Sequence, residues 1–163
     1  MKARFGLHRK ALLMVIVLAL GLFGFHGCAA KPKKSVSSIE SMTLTIHGMR
    51  GSRCYEITDE DGMIRLQRYQ MYVKDGEDVL ELDGAVDCDK ESFLALINSC
   101  QVMSWDGFHG KHPKNVSDGD MFRFEASVNG GETIQADGSA NFPEGYRDLV
   151  RSFNELLSGA ELQ

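Results

Sequence analysis

Three turn signals, Asp61-Gly62, Asp75-Gly76 and Asn129-Gly130-Gly131, each lie between runs in which apolar residues recur at every second position. That combination marks β-hairpins, because these residues accept the left-handed backbone of tight turns. It commits most of the chain to antiparallel strands. Met42, Leu44 and Ile46 alternate with Thr43, Thr45 and His47, as in a half-buried strand. A four-residue loop over 49–52 pairs Gly48 with Arg53, sets Ile46 opposite Tyr55 and Leu44 opposite Ile57, and places His47 opposite Cys54. Asp61-Gly62 then sets Ile57 opposite Leu66, and Asp75-Gly76 pairs Met71 with Leu80 and Tyr69 with Leu82. Ile64 and Leu66 share one parity, whereas Tyr69, Met71 and Val73 share the other, so a bulge near Gln67 or Arg68 is expected to reconcile them.

The last hairpin reads most clearly. Phe122, Phe124, Ala126 and Val128 alternate with polar residues ahead of Asn129. A two-residue turn would mix the faces. A three-residue loop with Gly131 left-handed pairs Ala126 with Ile134, Phe124 with Ala136, Arg123 with Asp137 and Ser127 with Thr133, and both faces become consistent.

Two helices complete the pattern. Asp87 and Asp89 are candidate N-caps for a helix whose apolar positions are Phe93, Leu96, Ile97 and Cys100. Pro143 suits a first helical position, followed by Tyr146, Leu149, Val150, Phe153, Leu156 and Leu157 up to Gly159. The residues between, 102–120, read as the longest irregular stretch. The expected fold is α+β: one antiparallel sheet, a four-stranded meander plus a hairpin, with two helices packed on one face in the order ββββ-α-ββ-α. The expected divisions are a leader at 1–27, a flexible tether at 28–40, one domain at 41–159 and a tail at 160–163.

The leader has a specific form. Lys2, Arg4, Arg9 and Lys10 come without an acid, Ala11 to Phe25 are apolar residues and glycine, and the segment closes on His26-Gly27-Cys28. A basic start before a short apolar run is a secretory signal, and the run falls short of the ~20 residues that span a bilayer. With Gly27 before Cys28 the segment resembles a bacterial lipoprotein signal peptide ending in a lipobox. Phe25 and His26 depart from that pattern, which usually has Leu three residues and Ala or Ser two residues before the cysteine. The resemblance implies cleavage between Gly27 and Cys28, a diacylglycerol thioether on Cys28 with further acylation by a fatty acid such as palmitate, and a cell-membrane protein facing outside the cytoplasm. Two or more acyl chains hold such a protein stably. Trp105-Asp106-Gly107-Phe108, Asp118-Gly119, Asn129-Gly130-Gly131 and Phe142-Pro143 are also similar to uncharacterised small lipoproteins of Gram-positive anaerobes, which implies no particular activity.

Charge narrows the partners. The formal net charge is −5, and removing the leader leaves 14 Lys and Arg against 23 Asp and Glu, or −9. An acidic domain does not suit nucleic acid. The resemblance implies the bilayer, reached through Cys28, as its membrane partner. No cofactor motif is present: phosphate loop, nucleophile elbow and dinucleotide fingerprint are all missing.

Candidate chemistry is sparse. His109 and His112 flank Lys111 near Asp106, Asp118 and Asp120, but Gly110 and Pro113 argue for a loop, so no metal site is expected. Ser117 to Asp120 holds only a fragment of a calcium loop and reads as a turn. Cys54 opposite His47 could imitate a thiol–imidazole pair, yet a strand in an acidic domain is a poor site for a thiolate. Any disulfide must use Cys54, because a helix separates Cys88 from Cys100; three reduced thiols are the alternative. Trp105, Phe108 and His109 could form a binding surface, but a lone Trp in a small domain more often anchors its loop onto the core, and that reading is preferred for Trp105. The preferred function is a non-catalytic binding or envelope-accessory domain. The alternative is a small hydrolase or thiol enzyme using Cys54 and His47 or the His109/His112 loop.

Overall fold

The computed structural model describes residues 34–49 and 51–160. The expected lipid attachment at Cys28, with cleavage after Gly27, lies outside them. Seven strands form one sheet: β1 (Ile39–Gly48), β2 (Gly51–Glu60), β3 (Met63–Lys74), β4 (Glu77–Asp89), β5 (Phe108–Gly110), β6 (Met121–Val128) and β7 (Glu132–Ser139). Their spatial order is β4-β3-β2-β1-β6-β7-β5. Helix α1 (Lys90–Ser99), a short 3-10 helix (Val102–Trp105) and helix α2 (Tyr146–Ala160) complete the α+β fold.

The meander and the last hairpin join because β1 pairs with β6, setting Met42 beside Ala126, Leu44 beside Phe124 and Ile46 beside Phe122. These residues and Tyr55, Ile57, Ile64, Leu66 and Ile134 are buried beneath the two helices. Phe153 of α2 sits at the centre, 5.5 Å from the Tyr55 ring and stacked at 5.9 Å on Phe93 of α1. Each helix thus buries the stripe its period predicts: Phe93 and Ile97 in α1, and Tyr146, Leu149, Phe153 and Leu157 in α2.

The hairpin around Asn129-Gly130-Gly131 has the expected three-residue loop and the expected pairs, Ala126 with Ile134 and Phe124 with Ala136. All three loop residues have positive φ. Other expectations are corrected. The first hairpin turns through two residues, not four: Gly48 pairs with Gly51, Ile46 with Arg53 and Leu44 with Tyr55. A shift of two residues preserves the faces, so alternation alone could not exclude the longer loop. The bulge lies in β4, not β3, because Arg68 pairs with Gly84 and Tyr69 with Leu82, leaving Asp83 unopposed. Strand β3 therefore runs regularly, and Tyr69, Met71 and Val73 turn away from the helices.

The irregular stretch also contains structure. The 3-10 helix leads to β5, which pairs with β7 in parallel at the sheet edge, a pairing the antiparallel expectation omitted. Asp89, not Asp87, caps α1 by accepting the Ser92 amide at 2.8 Å. Helix α2 starts three residues after Pro143, beyond Gly145 at φ 80°, and it continues through Gly159. A Cβ on Gly145 would strike the Cys100 carbonyl, so this glycine serves close packing as well as the turn.

The tether expected at 28–40 ends earlier. Val36 is buried and exchanges two hydrogen bonds with Asn98, from its amide at 2.8 Å and to its carbonyl at 2.9 Å. Ser37 is held by Asn129, Lys34 pairs with Glu132, and β1 begins at Ile39. A single apolar residue between serines and lysines gives no periodic signal, which is why the pattern missed this docking.

Candidate functional site

The residues singled out from the sequence do not converge. Trp105 is fully buried: its indole N–H donates to the Glu144 carbonyl at 2.9 Å, and its ring meets Phe124 edge-on at 5.1 Å. It anchors the chain after α1 to the core, as the core-anchoring reading expects, and offers no surface, so the binding-surface reading is corrected at Trp105. Phe108 is half-buried with its ring 6.3 Å from Phe122. His109 alone of the three is well exposed, and it pairs with Asp137 on the neighbouring strand β7.

His47 does not face Cys54. It sits opposite Ser52, whose hydroxyl lies 3.1 Å from Nδ1, while Cys54 lies between Thr45 and Tyr69. The Cys54 thiol is buried, and burial pushes its pKa up, with the Glu56 charge adding to the effect. That is the opposite of an activated thiol. Cys88 and Cys100 are likewise buried and free, with their thiols pushed up by burial. Cys54 occupies the sheet face away from the helices, whereas Cys88 pairs with inward Ile64. A disulfide through Cys54 would have to cross the sheet.

His112 contacts Ser139 Oγ through Nδ1 at 2.8 Å and the Val116 carbonyl through Nε2 at 2.5 Å. Both contacts are exposed, and they tie the loop to β7. His109 and His112 therefore serve different partners and share no ligand position. Among the described residues no three His, Cys, Asp or Glu side chains are placed to hold a metal ion.

A different site emerges between α2 and the end of the sheet where β1 turns into β2. A groove of about 740 Å³ is lined there by Ile46, Arg53, Phe142, Tyr146, Val150 and Asn154, with Asp120, Arg147, Arg151 and Glu155 also bordering it. It continues into a more polar hollow of about 550 Å³ along Gly48, Ser52 and Gln70, which shares Ile46, Arg53 and Asp120 with it. Local sequence builds each wall. Strand parity points Arg53 to the same side as Tyr55 and Ile57, because all three occupy odd positions in β2. The chain after β7 crosses over Gly110 and Gly138, which pair with each other and leave room for the Asn141 carbonyl. That crossing delivers Phe142 onto Tyr146, stacked at 4.5 Å. Asp120 reaches the rim because its carbonyl accepts the Ala140 amide at 2.9 Å, and its carboxylate lies over Gly48, where any side chain would collide.

Arg53 is the distinctive residue. It makes no ion pair among the described residues, and its Nε is the one buried side-chain nitrogen or oxygen among them without a hydrogen-bond partner. Its neighbours are otherwise satisfied. Tyr55 donates to Asn154 Oδ1 at 2.9 Å, and Arg68 reaches the same oxygen at 3.3 Å while pairing with Asp83 at 2.7 Å. Arg151 pairs with Asp148 one helical turn away. Burial pushes the Tyr146 phenol well up, Asp120 adds to that, and the Arg53 charge opposes it. The second hollow, about 750 Å³ between α1, α2 and β4, is lined by Cys88, Phe93, Leu96 and Leu156 and holds no unpartnered buried polar atom.

Comparison with known protein families, with curated proteins and with solved structures finds no match to this chain.

Proposed function

We propose that the protein is a lipid-anchored extracytoplasmic lipoprotein whose domain binds a ligand in the Arg53 groove and performs no chemistry on it. The observation that carries the binding role is the half-buried Arg53, which lines a cavity with an apolar wall and makes no ion pair or side-chain hydrogen bond among the described residues. A guanidinium that lines a cavity without an anionic partner is suited to bind an anion there. Catalysis has no such support. Cys54 is buried on the other face of the sheet, and neither His109 nor His112 lines the groove. The anchor rests on the acid-free basic start, the short apolar run and Gly27-Cys28.

The anchor is tested by intact mass of the protein purified from a bacterial membrane, together with labelling by a palmitate analogue. The wild type is expected to lack residues 1–27 and to carry acyl mass on Cys28. Cys28→Ser should lose the label and retain the leader. An unlipidated mass equal to the full 163-residue chain would remove the anchor.

A further inference from the structure

Resting on the reading that the groove is the binding site, we propose that its ligand is an amphiphilic anion: one carboxylate or phosphate headgroup on Arg53, with a single apolar chain laid along Phe142, Tyr146 and Val150. Three observations converge. First, the Arg53 guanidinium is a rigid fork of donors matched to carboxylate and phosphate, and Arg53 lines both hollows without an ion pair among the described residues. A cation held partly out of water gains from an anion beside it. Asp120 borders the same cavity without closing an ion pair to Arg53, so that position is open to a ligand.

Second, the walls beyond Arg53 are apolar. Ile46, Phe142, Tyr146 and Val150 line the groove, and the Phe142 and Tyr146 rings stack on each other at 4.5 Å. A ligand with a charged head alone would leave this surface wet. A volume of about 740 Å³ lies within the range of small-molecule sites.

Third, the charge balance selects a small anion over a polyanion. The domain carries far more acids than bases, and its long-range field repels a densely charged polymer. The cations are local instead: Arg53 inside, and exposed Arg147 at the rim, also without an ion pair among the described residues. A single headgroup can reach both while its chain remains in the groove.

The test is isothermal titration of the full chain held in phosphatidylcholine nanodiscs, with protein-free nanodiscs as the blank. The probes are octanoate, octyl phosphate, octanol and inorganic phosphate. Octanoate and octyl phosphate should bind, with octanol and inorganic phosphate at least about tenfold weaker. Arg53→Gln should weaken both anionic amphiphiles by about ten- to a hundredfold, the loss of charged hydrogen bonds, and leave octanol unchanged. Arg53→Lys, which keeps the charge and loses the fork, should fall between; it also serves if the glutamine variant fails to fold. Adding single-chain lysophosphatidylglycerol to the nanodiscs separates the sources: competition with octanoate assigns a membrane lipid, and unchanged affinity assigns a free amphiphile. Equal binding of octanol and octanoate, unaffected by either Arg53 variant, would overturn the headgroup assignment and leave the groove as the binding site. Failure of all four probes to bind overturns both.

Discussion

The β3–β4 ribbon contains two halves that differ in fate. Near α1, Ile64, Leu66 and Cys88 are 0%, 0% and 9% exposed; beyond Arg68, Val73, Leu80 and Leu82 are 69%, 52% and 52% exposed. Strand propensity does not separate them, since both halves are rich in β-formers. Cover separates them. The inner half lies under Phe93, Ile97 and Leu157, with Leu157 against Gly84. The outer half extends past the first residues of β2, and its apolar side chains occupy the face that carries no helix. Asp83 marks the border. As the unopposed residue in β4 it keeps Leu82 and Leu80 in step with Tyr69 and Met71, and its carboxylate accepts from Arg68 at 2.7 Å and Gln70 at 3.0 Å.

The largest effect should come from removing the cover. Phe153→Ala deletes the ring between Tyr55 and Phe93 and should cost about 3–5 kcal/mol by urea denaturation, a large share of the ~5–15 kcal/mol that holds a typical domain. A loss below ~1 kcal/mol would mean that α2 is not what sets the inner half apart.

The border should respond to acid. The hydrogen bond from Gln70, and after it the Arg68 pair, hold the Asp83 carboxyl below its ordinary value. Its folded pKa is therefore depressed, so its contribution is present above the unfolded value near 3.9 and is lost as the pH falls through the folded one. Melting temperature measured from pH 7 down to pH 2.5 should fall less steeply below about pH 4 in Asp83→Asn than in the wild type. Parallel curves would detach Asp83 from the border's stability.

The smallest effect belongs to the outer half. Leu82→Ser should change unfolding free energy by no more than about 0.5 kcal/mol, as exposed sites do. A cost above ~2 kcal/mol would show that this face is covered in solution, and sedimentation would then report an assembly.

Much of this contrast is legible in the sequence. Asp61-Gly62 and Asp75-Gly76 place their turns, and the pairs Ile57 with Leu66 and Tyr69 with Leu82 follow from turn position. The change of parity after Leu66 is visible too. Its cause is not, because an extra residue in either strand restores pairing, and only the direction of the helices decides which face is covered. The groove was illegible for a related reason. In the longer-loop register Arg53 borders a loop, where an arginine is unremarkable; in the observed one it faces Ile46 on the buried side. An arginine at the parity of Tyr55 and Ile57 was the available signal. The converging walls at Phe142 and Asp120 come from loops whose paths depend on glycine contacts far away in sequence, Gly138 with Asn141 and Gly48 with Asp120.

The three buried thiols turn the order of folding events into a chemical matter. Cys54, Cys88 and Cys100 are 6%, 9% and 3% exposed and unpaired. In an oxidising compartment these three thiols of an unfolded chain would offer three possible single bridges among themselves, and one from Cys54 to Cys88 would tie together opposite faces of the sheet. Bridges form in seconds to hours, whereas hairpins close in about 1–10 μs and local pairing speeds folding. A meander built from adjacent strands sequesters Cys54 and Cys88 early in that race. Reagents reaching the finished molecule meet no thiol at its surface among the described residues.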